Sequence, residues 1–315
     1  MRAVVIDDGD LRVEERPDPI PGPNEVLVAV ASAGLNGADI LQRRGFYPAP
    51  AGAPVDVPGL ELAGTIVQLG DDVSTATIGQ RVMAIVAGGA QATHCLVNEQ
   101  HLLHVPAHID LAIAGGFPEA YATAHDALVT QARLSSGDRV LISGAAGGVG
   151  SAAVQLASRL GATVIASARN PEVHESLLAL GASVVVLPED IGHAGPYDVV
   201  LELVGGPSLE VALTTLAMGA RLAVIGVGAG ARADINLLQL MGARAQLTGA
   251  TLRARSVEDK AAVTEGVARD VLPLFDEGRL QVPVCATFGL NDVRAAYDRF
   301  TAGGKLGKVL LLPSE

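Results

Sequence analysis

The segment running from residue 140 to residue 151, Val-Leu-Ile-Ser-Gly-Ala-Ala-Gly-Gly-Val-Gly-Ser, constrains this chain more than any other. An apolar run of strand type meets glycines at 144, 147 and 150, and a helix-forming run over residues 151–160 follows at once. Glycine lets such a turn tighten and lets backbone N–H groups approach a pyrophosphate, while the helix N-terminus adds partial positive charge. A glycine triplet alone is weak evidence. In a strand–turn–helix setting it predicts a dinucleotide-binding unit rather than an ordinary turn filled with small residues. Residues 140–158 carry no charge and match a bilayer span in length. The glycines in the middle of that stretch break it into strand, turn and helix instead.

The chain beyond residue 118 alternates in the same way. Strands are predicted at 139–142, 163–166, 184–186, 198–201 and 221–225, and helices at 151–160, 172–180 and 209–216. Continuous Val/Ile/Leu runs between helices indicate a parallel sheet covered on both faces. Before residue 118 the pattern is different: short β-type runs at 26–30, 64–67 and 80–85, separated by Pro/Gly/Asp clusters. After residue 255 come an amphipathic stretch over 260–275, a helix over 291–300 and a final strand over 308–312. A length of 315 residues suits two domains. The expected division is a discontinuous first domain, 1–117 with 256–315, and a dinucleotide-binding domain, 118–255.

Composition removes several functions. The net charge of −12 argues against a nucleic-acid partner and against a basic membrane patch. Two cysteines, Cys95 and Cys285, rule out a disulfide framework and a four-thiolate metal knuckle. The absence of Trp and 3% aromatics exclude a stacking platform. The opening residues do not read as a secretory signal, so a soluble cytoplasmic protein is expected. His101, His104 and His108 are separated by a β-type pair and Pro106 and do not share a helical face, so they read as exposed or capping residues. Cys95 reads as a small buried apolar residue.

The second strand decides the nucleotide. It ends Ala166-Ser167-Ala168-Arg169-Asn170, with no acid for a ribose diol and with Arg169 available to a 2′-phosphate. NADPH is therefore expected, with NADH possible.

Several strings extend the reading: Asn36-Gly-Ala-Asp-Ile-Leu-Gln-Arg-Arg-Gly-Phe-Tyr47, Pro58-Gly-Leu-Glu-Leu-Ala-Gly64, Gly88-Gly-Ala-Gln-Ala92, Pro118-Glu-Ala-Tyr-Ala-Thr-Ala124 and Gly304-Lys-Leu-Gly-Lys308. With the glycine turn they make the whole chain resemble the zinc-independent quinone oxidoreductases of the medium-chain dehydrogenase/reductase family. The tumour-suppressor-inducible branch is nearest and zeta-crystallin further off. The resemblance implies an α/β fold: a discontinuous GroES-like β-barrel domain and a doubly wound Rossmann domain. Zinc members of the superfamily carry Cys in Gly-x-Cys-Gly-x-Asp and His in Gly-His-Glu. Here Asn36 and Leu60 stand at those places, and a catalytic zinc takes three protein ligands, so no metal is expected.

The resemblance also implies site residues. Asn36, Tyr47 and Thr123 would line the nicotinamide and substrate cleft. Gly144, Gly147, Gly148 and Val149 would cradle the pyrophosphate. Ser167 and Arg169 would meet the adenosine ribose phosphate, and Gly205, Ile225 and Gly226 would border the nicotinamide. Thr251, Leu252 and Lys308 would approach the cofactor from the sheet edge and the C-terminus. Two departures stand out: Glu172 replaces a Lys and Pro188 replaces a Tyr that help relatives grip NADPH. The expected activity is NADPH-dependent, zinc-free hydride transfer to a quinone-type small molecule. The Tyr47 hydroxyl and the Asn36 amide are then the candidates to stabilise charge on the acceptor oxygen. Two alternatives remain open, an enone or alkenal double-bond reductase of the same fold and a non-catalytic NADPH-binding protein. A short-chain dehydrogenase fails because none of Tyr47, Tyr121, Tyr197 and Tyr297 is followed four places on by Lys. The apolar strand near 246–251 is expected at the sheet edge, joining a homodimer.

Overall fold

The computed structural model describes residues 1–313 and divides into two compact units. The first comprises residues 1–122, 252–303 and 308 onward, and the second residues 123–251 with 304–307. Division therefore falls near 122/123 and 251/252 rather than at the expected 117/118 and 255/256. The chain crosses the first boundary inside the helix Pro118–His125, which gives no break at residue 118. Gly304–Gly307 joins the second unit because Gly307 N–H donates to Ala146 O (2.8 Å) and Asn170 Nδ2 to Gly304 O (3.0 Å).

The first unit is built on a seven-stranded sheet. Its path runs Val284–Gly289, Lys308–Leu312, Glu25–Gly34, Glu61–Leu69, Arg81–Ile85 and Leu102–His104, with His94–Asn98 also paired to Glu25–Gly34. All pairs are antiparallel except Val284–Gly289 with Lys308–Leu312. Val26, Val28 and Val30 alternate inward, as period-2 patterning requires, and meet Leu62, Ile66 and Val82 in the core. The amphipathic stretch after residue 255 forms two helices, Val257–Asp270 and Leu272–Asp276. Pro273 cannot continue a helix, and it sits in the first turn of the second, where a missing N–H costs nothing.

The second unit holds a six-stranded parallel sheet in the order Val184–Val186, Thr163–Ser167, Arg139–Ile142, Tyr197–Glu202, Leu216–Val224, Gln246–Gly249. That is the doubly wound order 3-2-1-4-5-6. Val140, Leu141, Ile142, Val199, Val200 and Leu201 are fully buried, the signature of strands covered on both faces. The predicted helix over 209–216 occupies Gly206–Ala212 instead, and Leu216 already opens the next strand. No helix among the described residues is long and apolar enough to cross a membrane.

Candidate active site

The strand Arg139–Ile142 runs into the glycine turn. Gly144 adopts φ +61°, Gly147 N–H closes the turn on Gly144 O at 3.0 Å, and Gly147 caps the helix Gly148–Arg159 without any side-chain bond. At position 150 a Cβ would lie 2.4 Å from Gly144 O, so the helix sits against the turn at a distance that only glycine permits. Ala145 N–H donates to Ser167 O at 3.0 Å, tying the turn to the neighbouring strand. Residues 144 and 146–149 stay partly exposed, and the first N–H groups of the helix lack capping side chains. This is a cradle for a phosphate oxygen, so the residues present fit a dinucleotide.

Ser167 closes the next strand and is buried, while Arg169 beyond it is exposed and forms no ion pair among the described residues. Asn170 is committed locally: its Oδ1 accepts from Glu172 N (3.1 Å) and its Nδ2 donates to Gly304 O. Glu202, which the sequence reading missed, organises the end of the strand Tyr197–Glu202. Its buried Oε1 accepts from Ser143 Oγ (2.8 Å), Val204 N (2.7 Å) and Gly205 N (2.8 Å), and its backbone oxygen accepts from Ile225 N and Gly226 N (2.9 and 3.1 Å). Gly205 is thereby held at φ +125°, a conformation that side chains other than glycine rarely adopt. Residues 144–149, Ser167, Arg169, Gly205, Ile225 and Gly226 thus gather at the carboxyl edge of the parallel sheet, where open α/β sheets bind ligands. Thr123 and Thr251 lie at the two limits of the same unit, Thr123 buried and Thr251 exposed.

Asn36, Tyr47, Leu252 and Lys308 belong to the first unit. Asn36 caps the helix Gly37–Arg43 and stands in a buried polar network. Its Nδ2 donates to Glu61 Oε1 (3.0 Å) and to Gly34 O (3.2 Å), and its Oδ1 accepts from Lys308 Nζ (2.8 Å). Both N–H groups of the Asn36 amide are thus already used within the protein. Lys308 belongs to the same network. It is buried, and its three protons go to Glu61 Oε1 (2.5 Å), Asn36 Oδ1 and Leu35 O (2.9 Å), leaving none for a phosphate. The other Glu61 oxygen accepts from Glu119 N at 2.9 Å. Leu60 is buried and offers no donor atom, so the two zinc-ligand places hold a hydrocarbon and an amide bonded to an ammonium group. That donor set does not fit a catalytic zinc.

Tyr47 is half-buried on the irregular loop after Arg43, and its hydroxyl has no hydrogen-bond partner among the described residues. Burial raises the phenol's pKa above its usual range, the Glu119 carboxylate adds to this and Arg253 opposes it, so the hydroxyl keeps its proton at neutral pH. Arg253 itself went unnoticed in the sequence, where a lone arginine after a strand carries no signal. His101 is buried with Nε2 3.0 Å from Val257 O, and His104 and His108 are exposed. Cys95 is buried, which pushes its thiol up to about 12.

Comparison with known proteins agrees with this arrangement. Residues 22–133 match the family described as alcohol dehydrogenase GroES-like domain, and residues 148–267 the family described as zinc-binding dehydrogenase. The chain is 33% identical over 310 residues to quinone oxidoreductase-like protein 2 of Bos taurus, covering 95% of this chain and 87% of the relative. It is 27% identical over 332 residues to acryloyl-coenzyme A reductase of Sulfurisphaera tokodaii, covering 96% of each. The solved structure of mycobacterial Rv1454c complexed with NADPH superposes with a TM-score of 0.87 at 26% identity, covering 99% of this chain and 100% of that one. With both domains matched and one third of its residues shared along nearly its full length, the chain belongs to the quinone oxidoreductase family of the medium-chain dehydrogenases/reductases, oxidoreductases built on GroES-like and pyridine-nucleotide-binding Rossmann-type domains.

Proposed function

We propose that this protein is an NADPH-dependent, zinc-free reductase of quinone-type acceptors. The observation that carries the reading is the uncapped helix N-terminus at Gly147–Gly148 on a glycine turn too tight for any side chain at position 150, with Arg169 exposed at the next strand end. The amides around Gly147, Gly148 and Val149 bind the pyrophosphate. Ser167 and Arg169 select the 2′-phosphate, since no carboxylate stands at that strand end to favour a bare ribose. Bound NADPH supplies the hydride. Tyr47 holds a proton on a hydroxyl that no group among the described residues claims, and it delivers that proton to the acceptor oxygen, so hydride and proton together convert a quinone into a hydroquinone. Asn36, Glu61 and Lys308 keep the neighbouring backbone rigid rather than touching the acceptor.

Likeness to an acryloyl-coenzyme A reductase favours a second reading, reduction of an activated carbon–carbon double bond by the same residues. We further propose a homodimer formed through Gln246–Gly249 and the helix Leu237–Ala243. The helix buries none of its own residues: Leu238 is 76% and Met241 69% exposed. Steady-state rates decide the acceptor. NADPH oxidation with 1,4-naphthoquinone should outrun that with a 2-alkenal, and Arg169→Ala should narrow the preference for NADPH over NADH by about tenfold, the loss of one charge-assisted phosphate contact. Faster alkenal reduction would select the second reading. NADPH binding without turnover of either acceptor would remove the enzyme reading.

A further inference from the structure

Arg253 is only 4% exposed, yet it forms no ion pair with any described carboxylate. Three neutral acceptors hold its guanidinium: Nε donates to Ala87 O (2.8 Å), one terminal nitrogen to Tyr47 O (3.0 Å) and the other to Gln42 Oε1 (2.7 Å). The guanidinium carbon also lies 5.3 Å from the centre of the Tyr47 ring, within cation–π range. Gln42 passes the connection on, since its Nε2 donates to Val55 O at 3.2 Å. One buried side chain therefore pins both ends of the irregular loop over residues 44–56, near Tyr47 and near Val55. That loop has no regular secondary structure of its own, and Phe46 and Val55 on it are each 77% exposed.

Asp39 and Glu119 act on this cation only through space, and burying a cation without a directly paired carboxylate is costly, so a hydrocarbon of similar size would fill the space at less cost. What only a guanidinium supplies is the geometry. Its planar fork reaches three divergent oxygens and leaves a face for an aromatic ring, which a lysine ammonium does not match. The geometry points to Arg253 as the positioning residue that fixes Tyr47 for proton delivery. This rests on the proposed role of Tyr47. Arg253 acts through Tyr47 and the loop, without touching acceptor or nucleotide.

The test is a double-variant cycle on the full-length enzyme with NADPH and 1,4-naphthoquinone. Arg253→Lys should lower kcat/KM on the order of 10- to 100-fold, the range that a displacement of about 1 Å costs. NADPH affinity, read by fluorescence titration, should not change. Amide hydrogen exchange over residues 44–56 should accelerate, while exchange in Arg139–Ile142 should not. In a Tyr47→Phe background the same Arg253→Lys change should cost less than twofold. An equal loss in both backgrounds would overturn the inference and leave the Tyr47 reading intact. A Tyr47→Phe enzyme with wild-type turnover would remove the proton-donor reading, and the inference with it. Should Arg253→Lys fail to fold, Gln42→Leu removes the arm that runs from Arg253 through Gln42 to Val55 while keeping the cation, and the same two-background comparison decides.

Discussion

Asp39 shows what a single buried acid costs in this protein. It is fully buried and accepts from Asn36 N (2.8 Å) and Gly59 N (3.1 Å). Burial pushes its carboxyl up to about 6, with the two N–H groups and the charges of Lys308 and Arg253 opposing that rise. An unfolded Asp titrates near 3.9, so between about pH 4 and pH 6 the folded chain binds more protons than the unfolded one. Stability from this residue is therefore greatest below about pH 4 and falls as pH rises to about 6, by roughly 3 kcal/mol in all. Thermal melts of wild type and Asp39→Asn across pH 4–7 should show the wild type losing ground steadily with rising pH, and then a plateau. A constant difference between the two proteins over that window would refute the assignment. The variant should also start lower, by about 1–2 kcal/mol, because an amide offers one oxygen where two N–H groups need two.

At the scale of elements, the strand Gln246–Gly249 and the helix Leu237–Ala243 carry the most consequence. An edge strand presents unpaired backbone groups, and here they adjoin the exposed side chains of Leu237, Leu238 and Met241. The helix packs on its own unit only through the partly buried Leu240, and most helical stability comes from packing an apolar face. In the proposed dimer a second copy would supply the rest of that packing. Light scattering should return a dimer mass for the wild type and a monomer mass for Leu238→Asp/Met241→Asp, with the fold retained. A monomeric wild type would rule out this face as a self-association surface. The elements also show where periodicity misleads. The amphipathic pattern over 260–275 does not mark where helices end, because Pro273 falls on a turn that still satisfies the apolar spacing, and only the backbone break at Val271 separates two helices.

For the whole molecule, a ligand held by one unit should register in unfolding. NADPH at about 100 times its Kd adds about 2.7 kcal/mol, which for a chain of this size raises the melting temperature by several degrees. Gly150→Ala should abolish that rise, because its Cβ would lie 2.4 Å from Gly144 O in the phosphate turn. An undiminished rise in the variant would place the nucleotide elsewhere. The parallel sheet and the glycine turn were legible in the sequence, since unbroken Val/Ile/Leu runs and glycines at 144, 147 and 150 act over a few residues and need no distant partner. The same local chemistry marked Arg169, whereas Tyr47 was implied only by the family resemblance. Local patterns could not show that the Asn36 amide and the Lys308 ammonium are already spent on Glu61, that Glu202 orders Gly205 and Gly226, or that Arg253 reaches Gln42 and Tyr47. Those hydrogen bonds join residues up to 272 positions apart, and which donor is free depends on the folded geometry that brings its competitors within 3 Å.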